Sequence, residues 1–166
     1  MPAGLQCCVP GWPAAACRPP KAQTATRSIV HWGGPAGHTS LSVERNAIAV
    51  VDDDPEIRDG LELLLSSYGY RTLVFASAKE FLSAAATAEP ACLVLDIQLG
   101  DSSGIELGRR LSAMGCTLPI IFITGSQDKR LRRQAMALGC VAFLLKPLSA
   151  DRLIEAITRA VGSKLH

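Results

Sequence analysis

Five short apolar runs, each followed by a stretch of helical periodicity, constrain this chain more than anything else in it. The runs are residues 47–51, 71–76, 91–97, 118–124 and 140–145. Between and after them, apolar residues recur at steps of three and four. Ile57, Leu61, Leu64, Leu65 and Tyr68 make one such set. Phe81 with Leu82, then Ile105, Leu107, Leu111 and Met114, make the next two. A fourth helix is predicted from about Asp128 to Leu138, and a fifth carries Leu153, Ile154, Ile157 and Val161. Local signals agree with these assignments. Asp54 is a good N-cap before Pro55, Ser77 and Glu80 sit at capping-box spacing, Ser149 caps the last helix, and Gly69 and Gly139 follow helix ends. Strand and helix alternating five times predict an α/β domain with a parallel sheet and right-handed crossovers.

The run Ala91-Cys92-Leu93-Val94-Leu95-Asp96-Ile97 reads as a strand buried on both faces, which belongs in the middle of such a sheet. It ends in a carboxylate. Asp52 and Asp53 follow the first strand, Thr124 closes the fourth, and Lys146-Pro147 follow the fifth. In a parallel sheet all these ends lie on one edge, the edge where open α/β sheets bind ligands. Each residue alone has an ordinary explanation. Asp96 could cap a turn, Asp52 and Asp53 could favour a helix N-terminus, and Lys146 could be a solvated lysine. Together they form three carboxylates, one hydroxyl and one ammonium. Crowded carboxylates repel one another unless a cation compensates, and oxygen ligands of this kind suit Mg²⁺. A metal-bound carboxylate beside a lysine and a hydroxyl suits phosphoryl transfer, with aspartate as the acceptor. Pro147 is the candidate for a cis peptide that would aim Lys146 into the site.

The first 45 residues differ in kind. They hold six of the ten prolines, five glycines and both tryptophans, and a net charge of +3 from four basic residues and Glu44. Residues 1–45 are therefore expected to be a tail of low order, with the folded domain over 46–166. Pro2, Pro10 and Pro13 interrupt any signal-peptide core, while the single acid also fits a transit peptide. No run approaches the roughly 18 apolar residues of a membrane span, so no membrane partner is expected. Cys92, Cys116 and Cys140 lie in or beside apolar runs at intervals of 24 residues, which is no metal-ligand spacing. They read as small core hydrophobes in a reducing, cytoplasmic setting.

Residues 46–162 resemble the receiver domain of two-component response regulators. The resemblance rests on Val50-Val51-Asp52-Asp53, on Leu95-Asp96 with Gly104 eight residues later, on Ile123-Thr124-Gly125, and on Phe143-Leu144-Leu145-Lys146-Pro147. Phe75-Ala76-Ser77-Ala78 and Ile123-Thr124-Gly125 are most similar to the nitrogen-fixation-regulator (FixJ-like) group. The resemblance implies a flavodoxin-like, doubly wound (βα)5 fold with strand order 2-1-3-4-5. It implies that Asp96 accepts phosphate from a histidine kinase or phosphotransfer protein. Asp53, Asp96 and the backbone carbonyl of Gln98 would bind Mg²⁺, with Asp52 acting through water. Thr124 and Lys146 would hold the phosphoryl group, and Thr124 with Phe143 would form the conformational switch. An unknown downstream protein would dock on the surface of helix four, strand five and helix five, near the basic residues Lys129, Arg130, Arg132 and Arg133. Dimerisation on phosphorylation is a further expectation.

Three departures from the family pattern stand out. Gly100 replaces a proline common four residues after the phosphoacceptor, which would loosen that loop. Gln98 and Ser126 occupy the positions that flank the path of attacking water. About fifteen residues follow Lys146-Pro147 before the last helix closes, too few for a helix-turn-helix, so direct nucleic-acid binding is not expected. The expected function is a phosphoacceptor signalling switch without an output domain. The alternative is a hydrolase or phosphatase with an aspartyl nucleophile. Such enzymes place a second carboxylate two residues after the nucleophile, where this chain has Gln98.

Overall fold

The computed structural model describes residues 47–100 and 102–162, the side chains of 85–87 excepted. The expected tail lies outside the described residues. In chain order the elements are β1 (Ile48–Val51), α1 (Pro55–Ser67), β2 (Thr72–Phe75), α2 (Ala78–Ala88), β3 (Cys92–Asp96), β4 (Gln98–Leu99), β5 (Ser102–Ser103), α3 (Gly104–Ala113), β6 (Ile120–Thr124), α4 (Lys129–Ala137), β7 (Ala142–Leu145) and α5 (Ala150–Gly162).

Five strands make one sheet in the order β2-β1-β3-β6-β7, with every neighbouring pair parallel. This is the predicted 2-1-3-4-5 order of a flavodoxin-like domain. Side chains alternate across each strand, so neighbouring residues feed opposite cores. Ala49, Val51, Leu93, Leu95 and Phe122 point to one face, where they meet Phe81 of α2, Ile105, Leu107 and Leu111 of α3, and Ala135 of α4. Ile48, Val50, Cys92, Val94, Ile121 and Ile123 point to the other, against Leu61 and Leu65 of α1 and Leu153, Ala156, Ile157 and Ala160 of α5. Helices cover both faces, which is why β3 is buried throughout.

The helix starts follow their sequence signals. The Asp54 carboxylate accepts from the Glu56 amide at 2.9 Å. The Ser77 hydroxyl accepts from the Glu80 amide at 3.2 Å, and the Glu80 carboxylate reaches back to the Ala76 amide at 2.8 Å. Helix α4 begins one residue inside the expected span, because Asp128 is its N-cap. Tyr68 departs from the expected inner face: it caps α1 and is 46% exposed. The helical period ran one residue past the point where the backbone leaves the helix.

The hairpin β4–β5 was not foreseen. Gln98 pairs with Ser103 and Leu99 with Ser102, antiparallel. It follows β3 directly, so the segment leaving the sheet edge folds back over it.

Candidate phosphoacceptor site

Strand order reverses at β1, which sits between β2 and β3. The crevice at the carboxyl ends of β1 and β3 is therefore the expected ligand position of a doubly wound sheet. Asp52 leaves β1 fully buried, Asp96 ends β3 with 4% exposure, and Thr124 ends β6 fully buried. Lys146 follows β7, and its backbone amide donates to the Thr124 carbonyl at 2.8 Å. The Lys146-Pro147 peptide is cis.

The Lys146 ammonium donates to Asp52 Oδ2 and to Asp96 Oδ2, both at 2.8 Å. One cation thus joins two buried carboxylates that lie 94 and 50 residues away in sequence. The remaining oxygens are held by backbone. Asp52 Oδ1 accepts from the Asp54 amide at 2.9 Å, and Asp96 Oδ1 from the Gln98 amide at 3.0 Å. Asp53 is exposed, and its Oδ2 accepts from the Gly100 amide at 3.0 Å. Thr124 Oγ1 accepts from the Ser126 amide at 3.1 Å. The predicted residues Asp52, Asp53, Asp96, Thr124 and Lys146 therefore all stand on one edge. Phe143 lies one layer below, paired in register with Phe122 and packed partly against the core.

Burial raises the Asp96 pKa above its ordinary 3.8, and the nearby charge of Asp52 adds to the rise. The Lys146 hydrogen bond, the Gln98 amide and the Lys146 charge oppose it without cancelling it. Burial is also the largest single influence on Lys146 and pulls its pKa down. The hydrogen bonds to Asp52 and Asp96 and the charges of both outweigh it, so its pKa stands above 10.5. A raised carboxyl favours folding while protonated and opposes it as pH rises through the window from 3.8 to the folded value. Asp96→Asn, which mimics the protonated form, is therefore expected to melt higher than the wild type at pH 7 without added metal. The gain should shrink as pH falls toward 3.8, the ordinary value. Thermal melts at several pH values test this; a variant that melts lower at pH 7 would contradict it.

The carboxylates of Asp52, Asp53 and Asp96 each offer an oxygen within 4.8 Å of the others. Three negative charges face one ammonium, a balance of −2. Hard oxygen donors with this excess charge fit a divalent cation such as Mg²⁺.

Two further residues touch the site: Arg58, which sequence reasoning missed, and Gly104, which it counted in the motif without its physical reason. Arg58 Nη1 donates to the Asp52 carbonyl at 2.8 Å and so pins the turn after β1 from one helical turn into α1. Its position six residues after Asp52, on the first turns of α1, was the available signal. Gly104 is the other, and its reason is steric. A Cβ there would lie 2.0 Å from the Asp96 carbonyl oxygen and 2.9 Å from its carbon. Glycine alone lets the start of α3 ride on the Asp96 backbone.

The response regulator receiver domain family matches residues 48–158. The chain belongs to this family. It is 40% identical over 114 residues to the transcriptional regulatory protein FixJ of Bradyrhizobium diazoefficiens, covering 69% of this chain and 56% of that one. It is 37% identical over 129 residues to nodulation protein W of the same organism, covering 78% and 56%. The crystal structure of full-length FixJ from B. japonicum matches with a TM-score of 0.67 and 38% identity, over 72% of this chain and 59% of that one. The receiver chain thus spans a little over half the length of these relatives. No helix among its described residues is long and apolar enough to cross a membrane.

Proposed function

We propose that Asp96 is the phosphoacceptor of this receiver, with Lys146 and Thr124 as the groups that hold the transferred phosphoryl. The observation that carries this is the single ammonium at 2.8 Å from both Asp52 and Asp96. An Asp96 carboxylate oxygen attacks the phosphorus of a phosphohistidine on a histidine kinase or phosphotransfer protein. The new O–P bond forms as the P–N bond breaks, and the histidine nitrogen departs with the electron pair and takes a proton. Lys146, already on the acceptor oxygen, neutralises charge on the phosphoryl oxygens as it arrives. The Thr124 hydroxyl, at the end of the adjacent strand, donates to another. Asp53, Asp96 and the Gln98 carbonyl would hold Mg²⁺, with Asp52 acting through water. When bound, the ion supplies the positive charge that offsets the carboxylates and the entering phosphate.

Acetyl phosphate with Mg²⁺ tests this reading. Stoichiometric labelling, abolished in Asp96→Asn and slow to decay, is expected. Multiple turnover would instead mark an aspartyl-phosphate hydrolase, and undiminished labelling of Asp96→Asn would place the acceptor elsewhere.

The signal leaves through Thr124 and Phe143. As Thr124 moves toward the phosphoryl group, the space it leaves admits the Phe143 ring. Phe143 lines a groove of about 450 Å³ formed with Lys129 and Arg132 of α4, Leu145 of β7 and Arg152 of α5. That basic, partly apolar groove is the docking surface for a downstream protein, and a second copy of this chain is a candidate occupant after phosphorylation. The energy available is the difference in phosphate's interaction with the two states, so the response is a population shift. Amide NMR shifts with beryllofluoride should extend from the Asp53, Asp96 and Thr124 loops into α4 and β7. Silence in α4 and β7 would leave phosphate storage as the role.

A further inference from the structure

The hairpin β4–β5 supplies backbone donors to two of the three clustered carboxylates. The Gln98 amide holds Asp96 Oδ1, and two residues on the Gly100 amide holds Asp53 Oδ2 at 3.0 Å. The two bonds differ in kind. Asp96 is buried and also held by Lys146, whereas Asp53 is exposed. An exposed aspartate has a free χ1 and χ2, and ordering it for a cation costs rotamer entropy. The space beside it is also restricted, since a Cβ at position 100 would lie 3.3 Å from the same Asp53 oxygen. The residue at 100 thus offers a donor to Asp53 and almost no bulk.

We infer that Gly100 is a positioning residue for the cation: its amide fixes the Asp53 carboxylate in the orientation that binds Mg²⁺, and the β4–β5 hairpin holds that amide in place. This rests on the Mg²⁺ reading of the acidic cluster. A carboxylate has two oxygens, so Oδ2 can keep the amide while Oδ1 turns to the ion. Hydrogen bonds to a metal's ligands typically support affinity by roughly ten- to a hundredfold. Gly100 lacks the left-handed backbone of Gly69, Gly115 and Gly139, and Leu99 before it is in a strand, so proline fits the sign of φ and the preceding residue. Proline removes the amide hydrogen and sets its ring Cδ where that hydrogen pointed at Asp53. Alanine keeps the hydrogen.

Mg²⁺ titration calorimetry on the full chain is the test, with Gly100→Pro and Gly100→Ala beside the wild type. Gly100→Pro is expected to bind Mg²⁺ roughly tenfold more weakly, and Gly100→Ala to lose less. Equal or tighter binding in Gly100→Pro overturns the inference, as does an equal loss in both variants, which would assign the effect to bulk. Hydrogen exchange in the wild type gives a readout free of any substitution. Mg²⁺ should slow exchange of the Gly100 amide, and faster exchange would mean that the ion draws Asp53 away and would overturn it. Failure of the wild type to bind Mg²⁺ at millimolar levels overturns the metal reading itself and this inference with it. Binding by the wild type and Gly100→Pro alike overturns this inference alone.

Discussion

Gly104→Ala is expected to lower the stability of the domain by about 3 kcal/mol, the upper end of what overpacking ordinarily costs. The added Cβ would meet the Asp96 carbonyl oxygen at 2.0 Å, the Asp96 carbonyl carbon at 2.9 Å and the Ile97 Cα at 3.0 Å. All three are backbone atoms in or beside the central strand, so none can swing aside as a side-chain end would. Relief requires α3 to lift from the sheet, which breaks the hydrogen bond from the Gly104 amide to the Ile97 carbonyl at 2.9 Å and unseats Ile105, Leu107 and Leu111. Alternatively the Asp96 backbone shifts, and the proposed acceptor moves with it. Either way labelling by acetyl phosphate should fall with stability. A urea midpoint unchanged from the wild type would show that the helix start relaxes freely. Gly60→Ala serves as the control, because nothing lies within 4 Å of a Cβ there.

Lys146→Ala is the second large effect expected. It leaves Asp52 and Asp96 facing each other without their shared cation. Removing one partner of a buried pair costs about 3–5 kcal/mol, and the lower end applies to a lysine whose side chain is 20% exposed. The sign with pH follows from the shifts. The raised Lys146 pKa means that the wild type holds this stability in full below 10.5 and loses it as pH rises through the higher folded value. The variant has no such alkaline loss. Its stability should instead climb as pH falls, because protonating Asp96 relieves the repulsion that the ammonium had offset. Denaturant titrations at pH 5, 7 and above 10 would show the two curves converging at the alkaline end. A variant as stable as the wild type at pH 7 would mean that the carboxylates are reached by water or counterions.

Much of the architecture was legible because two periodicities alternate without overlap. Strand β3 declared itself through five consecutive apolar residues before Asp96, and α1 through Asp54-Pro55 at its start. The residues that converge on the sheet edge could be read from topology alone, since each follows a strand. Their bonds could not. Nothing in Lys146 as a letter says that it will bridge two carboxylates rather than reach into water. The β4–β5 hairpin was invisible because two-residue strands carry no period. At Gly100 sequence reasoning weighed the proline it replaces and expected a looser loop; the structure adds a hydrogen bond from the Gly100 amide to Asp53 that proline cannot make. The fit at Gly104 depends on a distance to another backbone, which no local pattern encodes.

The bridge made by Lys146 also has a consequence for when the site comes into being. It closes a loop of 94 residues to Asp52, nearly the whole of the described chain, and such long closures are among the slowest contacts to form. A chain that has built β1 through β6 already carries Asp96 in its strand, yet lacks the lysine proposed to hold an incoming phosphoryl group. On the proposed roles, competence to receive a signal arrives only with the strand that carries Lys146, and a half-made domain stays silent by construction.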